Sequence, residues 1–474
     1  MKTRKPGIVR LITSLLLVLP LLSHGETVKW NLKEKWGVNQ QGVASAISEA
    51  KEHFKSFPND SIVIIIPEGT FGIGGNNDHS IDVSNIEPGE KGRLIFQGTG
   101  KDRTTFIATD RTEHSIYGRN IHRITFKGIH FTRDYNCVLQ GTVISVSPGE
   151  VVLDLHEGFP EPDSLWQYGI VGSWGMFFKR YTDDIDDPQI ITEENDQIAW
   201  NKDGTYKVEG RRWKFALRNL DQTAPYKEGD IIGIKLKHGG QTYWFANGDD
   251  IAFEDCKWTQ KTRGVLRAGI SNIRFVNCTT ERGPRVGGRI PCLASPDGGP
   301  QCGQPNDPVI NNVLIENCDF FASGDDNVAF FNVNGGVIRN CHITDSFARG
   351  ILLYQCENIC LENNIVERCP ILWVEGDGYS KCDTPTGQID LNIYNDNYNI
   401  YPNPFQDLLF VEQNYFNQAD SRIGIFDEKG ALVLSSKLRK GINEIDLSRE
   451  IAGCYIVKLT NDLFTVQQKV LKIN

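Results

Sequence analysis

Residues 313–349 read VLIENCDFFASGDDNVAFFNVNGGVIRNCHITDSFAR, and this stretch decides the fold. It contains two copies of a short phrase in which apolar residues alternate and end in Asn-Cys. Along the chain the phrase ends at Cys256, Cys278, Cys318, Cys341 and, in altered form, Asn364, in steps of 22, 40, 23 and 23 residues. A repeat of this length with strand-like alternation indicates a solenoid with one coil per repeat. Matching repeat positions then lie about 4.8 Å apart and form columns.

The net charge of −10 is spread without a basic stripe, which argues against a nucleic-acid partner. Basic residues precede an apolar run at 11–22, and small residues follow it, so residues 1–25 are predicted to be a signal peptide. That run is too short for a membrane span, and no later segment replaces it. We therefore expect an exported protein without a transmembrane segment.

The cysteines divide into groups by their place in the repeat. We expect free, buried thiols at one inward-facing repeat position, which holds Cys256, Cys278, Cys318 and Cys341. Cys292 and Cys302 share one Gly/Pro-rich loop and are the better candidates for a disulfide. The remaining cluster contains Cys356, Cys360, Cys369 and Cys382. These cysteines are not spaced with histidines as the ligands of a zinc site are, so no metal site is predicted.

The repeats place a solenoid domain at residues 26–382, with apolar helical spacing at 36–57 that predicts a helix capping its open end. The repeat is interrupted at about 141–245, which we interpret as an inserted antiparallel β subdomain. Its acidic run at 183–187 is expected to be a solvated loop, with a calcium site as the less favoured alternative. Residues 383–399 are a polar linker, and residues 400–474 show the short strands and turns of a small β-sandwich.

The tail carries motifs that reach from its beginning to its end: Tyr401-Pro402-Asn403-Pro404-Phe405, Gly424-Ile425-Phe426-Asp427, Gly453-Cys454-Tyr455-Ile456-Val457-Lys458 and Lys469-Val470-Leu471-Lys472-Ile473. In this order they resemble the C-terminal sorting domain of the type IX secretion system of Bacteroidetes. The resemblance implies handling by the type IX secretion machinery, removal of the tail, and a mature protein that is secreted or held at the outer-membrane surface.

A second set of motifs lies in the coils: Ser295-Pro296-Asp297-Gly298, Gly324-Asp325-Asp326, Arg349-Gly350-Ile351-Leu352-Leu353, Glu362-Asn363-Asn364 and Trp373-Val374-Glu375. This region looks like a right-handed parallel β-helix of the pectate lyase and polygalacturonase type, and it is similar to the α-1,3-galactosidases of glycoside hydrolase family 110. The sequence departs from that family at residues 327–331, where a Val-Asn-Val-His-Gly type run is usual, and its coils end sooner. The implied fold is all-β: a parallel β-helix with an inserted antiparallel subdomain and a C-terminal β-sandwich.

Aligning the coils places charged residues on four successive turns at comparable positions: Arg263, Asp297, Asp325 or Asp326, and Arg349. Carboxylates this close cannot all ionise freely, so one is expected to have a raised pKa and to act as a general acid. A second carboxylate, with its pKa lowered by Arg349 or Arg263, is expected to act as base or nucleophile. Glycoside hydrolysis needs two carboxyls that differ in this way. The alternative is that Gly-Asp-Asp forms an ordinary turn.

We therefore predict Asp297, Asp325 and Asp326 as catalytic and Arg263 and Arg349 as substrate-binding. Strand alternation sends neighbours to opposite faces, so both aspartates of the pair face the cleft only if the chain bends at Gly324. Adjacent coils suggest the close carboxyl spacing of retaining enzymes, whereas the resemblance implies inversion.

Aromatic and amide side chains complete the prediction. Trp373 and Glu375, one coil beyond Arg349, are expected to form a sugar platform and a hydroxyl clamp, or else an apolar edge. Four tryptophans are assigned to the insertion: Trp166, Trp174, Trp213 and Trp244. The sequence does not distinguish whether they line the wall of a cleft or pack in the core of the insertion. Stacked side chains that bond from coil to coil are predicted for the column Asp255, Asn277, Asn317, Asn340 and Asn363.

The first functional hypothesis is an exported glycoside hydrolase that cleaves galactose-type or related linkages of a poly- or oligosaccharide and needs no cofactor. The alternative enzyme is a polysaccharide lyase, with a Lys or Arg base and calcium to neutralise a uronate. The third hypothesis is a non-catalytic, carbohydrate-binding protein. Composition does not distinguish the three.

Overall fold

The computed structural model describes residues 25–74, 79–109, 113–136, 138–166, 177–191, 198–235, 240–267, 269–369, 371–375, 398–413, 422–427, 429–439, 441–460 and 465–473. The predicted signal peptide lies outside these residues except for Gly25, and the predicted linker lies outside them except for residues 398 and 399. The described chain is mostly β.

Two long parallel sheets are built from the repeats. The first, here called the front sheet, runs through Thr27–Asn31, Ser61–Ile65, Arg93–Gln97, Ile116–Lys127, Tyr243–Glu254, Gly264–Leu266, Pro300–Cys302, Val328–Phe331, Arg349–Tyr354 and Ile371–Glu375. Ile81–Asp82 pairs with one of its strands, and a branch continues from it through Ile270–Val276, Ile310–Glu316, Val333–Arg339 and Glu357–Glu362. The second, the back sheet, contains Gly69–Ile73, Thr104–Ala108, His130–Arg133, Lys257–Trp258, Thr279–Thr280, Asp319–Phe321, His342–Thr344 and Ile365–Glu367.

The register of these sheets follows the sequence repeat. Leu314 pairs with Val337, and Val337 pairs with Cys360, so successive partners on the branch are one repeat apart. On the front sheet Ala329 pairs with Leu352 at the same interval. Each repeat therefore contributes one strand to the front sheet, one to the branch and one to the back sheet, and matching positions stack in columns.

A continuous apolar core fills the space between the sheets, and it includes the repeated cysteines. Cys256, Cys278, Cys318 and Cys341 are free and buried, as predicted. The Cys278 thiol donates to the Phe253 carbonyl at 3.3 Å, and burial raises its pKa well above the ordinary value. These thiols are packing groups rather than reactive ones.

The predicted disulfide between Cys292 and Cys302 is wrong, because both thiols are free. Cys302 ends a front-sheet strand and packs into the core inside the coils, whereas Cys292 packs outside the coils with Tyr181 and Phe347. Closeness in the loop sequence does not bring the two side chains into one cluster. Cys360 is disulfide-bonded.

The helix Gln40–Ser56 closes the first coil, as the apolar spacing predicts. The Asn39 side chain accepts a hydrogen bond from the Gly42 backbone at 2.9 Å and caps its first turn. Its buried face joins the coil core through Val43, Ala46, Ile47, Ala50 and Phe54. A shorter helix, Leu32–Lys35, precedes it, and a third, Pro162–Trp166, lies in the insertion.

The insertion is a closed antiparallel barrel, whose strands follow the order Glu150–Leu155, Arg212–Leu217, Ile198–Glu209, Phe177–Tyr181, Ile231–Lys235 and Leu139–Ser147. Phe178, Trp200 and Phe215 pack edge to face or stacked in its core. It ends earlier than predicted: Tyr243–Glu254 pairs in parallel with Ile116–Lys127 and belongs to the front sheet.

The C-terminal region forms two antiparallel sheets. One contains Tyr398–Tyr401, Leu408–Gln413 and Gly441–Asp446, and the other contains Leu432–Lys437, Arg422–Phe426, Gly453–Thr460 and Thr465–Lys472. Leu409, Val411, Ile423 and Val457 are fully buried in a separate core. In the part of the chain that is described, no helix is long and apolar enough to cross a membrane.

A backbone requirement explains the predicted polar column. Its members have φ between 50° and 55°, the left-handed conformation that Asn and Asp tolerate best among residues with a side chain: Asp255, Asn277, Asn317, Asn340 and Asn363. The predicted side-chain stack contributes a hydrogen bond from Asn363 to Asn340 at 3.4 Å. The turn conformation, common to all five, is the stronger reason for the pattern.

Candidate active site

The Gly324-Asp325-Asp326 segment lies in the turn that leads from the back sheet into the front-sheet strand Val328–Phe331. A Cβ atom at Gly324 would lie 2.5 Å from the Pro296 carbonyl oxygen, so only glycine fits there. The Gly324 amide donates to the Ser295 carbonyl at 2.9 Å and holds the turn against the preceding coil. The chain bends at Gly324 and Asp325, which allows the two neighbouring aspartates to contact different partners.

Backbone hydrogen bonds hold three coils together around this turn. The Gly299 amide donates to the Asp326 carbonyl at 2.9 Å, and the Asn327 amide donates to the Arg349 carbonyl at 2.9 Å. Arg263 directly precedes the strand Gly264–Leu266 on the coil before. The structure therefore brings together five predicted residues: Arg263, Asp297, Asp325, Asp326 and Arg349.

Asp325 is held between two cations. Its Oδ2 atom accepts from Lys235 Nζ at 2.7 Å and from Arg263 Nη2 at 3.0 Å. Burial opposes ionisation of this carboxyl, but the charges of Lys235 and Arg263 outweigh it, so the pKa of Asp325 is lowered. Asp325 is the ionised member of the pair.

Asp326 has the opposite electrostatics. It is only 8% exposed, and its Oδ1 atom accepts from Arg349 Nη1 at 2.9 Å. Burial and the neighbouring negative charge of Asp325 outweigh the attraction of Arg349, and they raise the pKa of Asp326 to about 6. One carboxyl of the adjacent pair thus retains its proton into the mildly acidic range.

Asp297 is the third carboxyl. It is 6% exposed, and its Oδ1 atom lies 3.7 Å from Arg263 Nη2, so a single guanidinium links Asp297 and Asp325. The Asp297 amide donates to Ser295 Oγ at 3.2 Å. The buried Lys261 donates to the Gly298 carbonyl at 2.9 Å and supports the backbone beside Asp297.

Lys235 was missed by the sequence analysis. It ends the strand Ile231–Lys235, which is buried throughout, and its side chain is 5% exposed. A lysine at the end of an otherwise apolar strand is a signal, because a buried ammonium needs a partner. Its partner, Asp325, lies on the coils, whereas Lys235 lies on the barrel. The pair could not be predicted because the sequence does not indicate how the barrel packs on the coils.

Trp373 and Glu375 lie on the strand Ile371–Glu375, where Trp373 pairs with Ile351. Their side chains are outside those described, so the sugar platform and hydroxyl clamp remain predictions. Trp213 packs in the barrel and donates to Glu161 at 2.8 Å. Trp166 packs against Trp213, and Trp174 is outside the described residues. Trp244 stands on the front sheet instead of in the insertion.

The acidic run at 183–187 contacts arginines of the loop that precedes Asp297. Asp183 bonds to Arg289 at 3.0 Å and Asp187 to Arg282 at 3.2 Å, while Asp186 pairs with Arg285. The aspartate side chains are 62–68% exposed, so the run is solvated as expected and also links the insertion to this loop. Among the described residues no group of three potential metal ligands occurs there or elsewhere.

Residues 399–473 match the family described as the secretion system C-terminal sorting domain. This confirms the resemblance of the tail: the protein is exported by type IX secretion and carries the domain on which that machinery acts. No curated protein matches the sequence.

Solved structures with low similarity include an alginate lyase from a Paenibacillus species, with 9% identity, coverage of 78% of this chain and 99% of that chain, and a TM-score of 0.35. A glycoside hydrolase has 7% identity, coverage of 72% and 78%, and a TM-score of 0.34. A surface adhesin of Streptococcus pneumoniae has 12% identity, coverage of 72% and 63%, and a TM-score of 0.35.

Proposed function

We propose that this exported protein is a glycoside hydrolase whose general acid is Asp326, on stacked coils that form a right-handed parallel β-helix. The observation that supports it is the adjacent carboxyl pair, Asp325 and Asp326, whose pKa values are displaced in opposite directions. An acid and an anion held side by side are what hydrolysis of a glycosidic bond requires.

In the proposed reaction, Asp326 donates its proton to the glycosidic oxygen as the bond from that oxygen to the anomeric carbon breaks. Water attacks the anomeric carbon and passes its proton to a carboxylate base, for which Asp297 and Asp325 are the candidates. Asp325 accepts hydrogen bonds from Lys235 at 2.7 Å and from Arg263 Nη2 at 3.0 Å, whereas Asp297 lies 3.7 Å from the same Nη2 atom, beyond hydrogen-bond distance. We therefore assign the base to Asp297 and the anionic support of the positive transition state to Asp325.

The two arginines have different tasks in this scheme. Arg349 contacts the acid at 2.9 Å, so it orients the carboxyl and stabilises the Asp326 anion left after proton transfer. Arg263 contacts both other carboxyls and keeps their spacing fixed. Both side chains are partly exposed, so unused N–H groups can donate to substrate hydroxyls.

The substrate class comes from the resemblance to the family 110 hydrolases: galactose-type or related linkages, with inversion at the anomeric carbon and no cofactor. The test is a screen of the purified mature protein against galactose-containing host and algal glycans, with reducing ends and ultraviolet absorbance measured together. New reducing ends without absorbance, lost in Asp326→Asn, are expected. Products with a new double bond would contradict hydrolysis.

A lyase remains the second candidate, because Lys235, Arg263 and Arg349 all surround the carboxyls and a lyase needs a basic side chain and charge neutralisation. Its base must be uncharged when it removes the proton. Burial favours neutral Arg263, but Asp297 and Asp325 outweigh it and raise the pKa of Arg263. This disfavours Arg263 as base, and the absorbance measurement decides between the two enzymes. Binding without any product would favour the non-catalytic hypothesis.

A further inference from the structure

The charged groups of the candidate active site do not balance. Its carboxyls are those of Asp297, Asp325 and Asp326, and its cations are four: Lys235, Lys261, Arg263 and Arg349. Lys261 is buried, and it donates to the uncharged Gly298 carbonyl at 2.9 Å. Over these groups one positive charge remains when every aspartate is ionised, and two remain when one aspartate holds a proton.

The charge of Arg349 is compensated by a single carboxyl. Arg349 Nη1 donates to Asp326 Oδ1 at 2.9 Å, and among the described residues Asp326 is the only carboxyl within ion-pair distance of it. Arg263, by contrast, meets both Asp297 and Asp325. Burial and the charge of Asp325 raise the pKa of Asp326 to about 6. When Asp326 is protonated, as a general acid must be, Arg349 therefore faces a neutral carboxyl instead of an anion.

The Arg349 side chain is within reach of a ligand. It is 34% exposed, and the side chains of Arg263 and Asp325 in the same site are 27% and 26% exposed, so the site opens to solvent here. The hydrogen bond to Asp326 uses one Nη atom, which leaves the N–H groups of the other for a ligand. A planar guanidinium matches the oxygens of an anionic group, and such charge-assisted hydrogen bonds are stronger than those between neutral groups.

The charge of the ligand decides how well it fits this position. A neutral sugar leaves the guanidinium charge without an anion in a partly buried site, where an uncompensated charge is costly. A carboxylate or a sulfate ester supplies the missing negative charge, and the low exposure of the surrounding groups limits screening of the interaction by water.

We propose that the substrate is an acidic glycan, in which a sugar at the site carries a carboxylate or a sulfate ester that binds the Arg349 guanidinium. The anion takes the place of the charge that Asp326 lacks when it is ready to donate its proton. The proposal rests on the proposed function, because it takes Asp326 as the protonated acid, but it concerns binding and is measured without turnover.

The test measures the affinity of the Asp326→Asn protein by titration calorimetry, because this variant has the charge of the protonated acid and lacks the acid itself. Polygalacturonate is compared with its methyl ester, and carrageenan with its desulfated form. In about 0.05 M salt the acidic member of at least one pair should bind about tenfold more tightly than its neutral counterpart. The pair that shows the preference identifies the anion as a carboxylate or a sulfate ester.

Variants of Arg349 in the same background assign the preference to this residue. Arg349→Gln should reduce it to less than about threefold and leave the affinity for the neutral glycan nearly unchanged. Arg349→Lys keeps the charge without the planar fork and should retain an intermediate preference, so the test stands even if the glutamine variant is unstable. Arg339→Gln is the matched control: Arg339 also pairs with a carboxyl one coil earlier, Glu316 at 2.7 Å, but on the branch, and its loss should leave the preference intact.

Equal affinity within both pairs, including a lack of binding to all four glycans, would overturn the proposal, and so would a preference that survives in Arg349→Gln. The two proposals fail separately. An Arg349-dependent preference for an acidic glycan from which the wild-type protein releases no new reducing ends would support this inference and count against the hydrolase. Cleavage of a neutral glycan without any preference for its acidic form would do the reverse.

Discussion

Two acidic clusters of this chain contact arginines, and they differ in burial. The run at 183–187 meets Arg282, Arg285 and Arg289 with aspartates that are 62–68% exposed. Asp325 and Asp326 meet Arg263 and Arg349 in a site where Asp326 is 8% exposed. The residue types are the same. Water screens the charges of the first cluster, whereas the charges of the second cluster interact with one another with less screening.

The consequence is a difference in chemistry. An exposed ion pair contributes about 0.2–1 kcal/mol, because water and salt screen its charges. In the buried cluster, burial and the Asp325 charge raise the pKa of Asp326 to about 6, while the neighbouring cations, Lys235 foremost, lower the pKa of Asp325. The buried cluster therefore separates an acid from an anion, and sequence composition alone does not distinguish the two clusters.

The largest expected effect is on turnover. Asp326→Asn and Asp297→Asn retain shape and hydrogen-bonding capacity but remove the ionisable group. Each should lower kcat/KM by about 10²–10⁴-fold, the range of general acid–base catalysis, on the glycan found in the substrate screen. Asp186→Asn, in the exposed cluster, is the matched control and should retain nearly full activity. Equal activity of all three variants would show that burial does not separate the clusters.

Much of this arrangement was predictable from the sequence. The repeat predicted the columns, and it therefore predicted that Asp297, Asp326 and Arg349 lie on successive coils, because strand pairing has a fixed spacing. The sign of each pKa shift was harder to predict from the sequence, because it depends on Lys235. This lysine lies on the barrel, and no repeat in the sequence indicates how the barrel packs on the coils. The wrong Cys292–Cys302 pair has the same origin, since the two residues are near in sequence but pack on opposite sides of the coil wall.

The second expected effect is on the pH profile. The proposed acid must be protonated, so activity should be lost as pH rises through about 6, with a further tenfold loss per pH unit above it. The opposite limb lies at lower pH, where Asp325 gains a proton, because the pKa of Asp325 is lowered. Adjacent carboxyls titrate together, so the two limbs belong to the pair. A profile of kcat/KM that stays flat from pH 5 to 8 would contradict the assignment.

A smaller change is expected for Lys235→Met, which retains a long side chain but removes the charge from Asp325. Loss of a charged hydrogen bond of about 1.5 kcal/mol corresponds to about tenfold in kcat/KM. The diagnostic result is a shift of the acidic limb to higher pH, because Asp325 loses the first of the three cations, Lys235, Arg263 and Arg349, that lower its pKa. Lys207→Met, in the exposed pair with Glu161, is the control for a lost barrel lysine. An unmoved acidic limb in Lys235→Met would mean that this lysine only packs.

The smallest expected effect concerns the exposed cluster itself. Asp183→Asn removes the partner of Arg289, and because the Asp183 side chain is 68% exposed, we expect the free energy of unfolding to fall by less than about 1 kcal/mol. The loss should shrink as salt is raised from 0.05 to about 0.5 M, since screening acts on exposed charges. A double-mutant cycle with Arg289→Gln, followed by urea unfolding, isolates the pair from other effects of either change. A coupling above about 2 kcal/mol, or one that salt does not weaken, would show that this cluster is shielded like the site. The contrast between the two clusters would then require a cause other than burial.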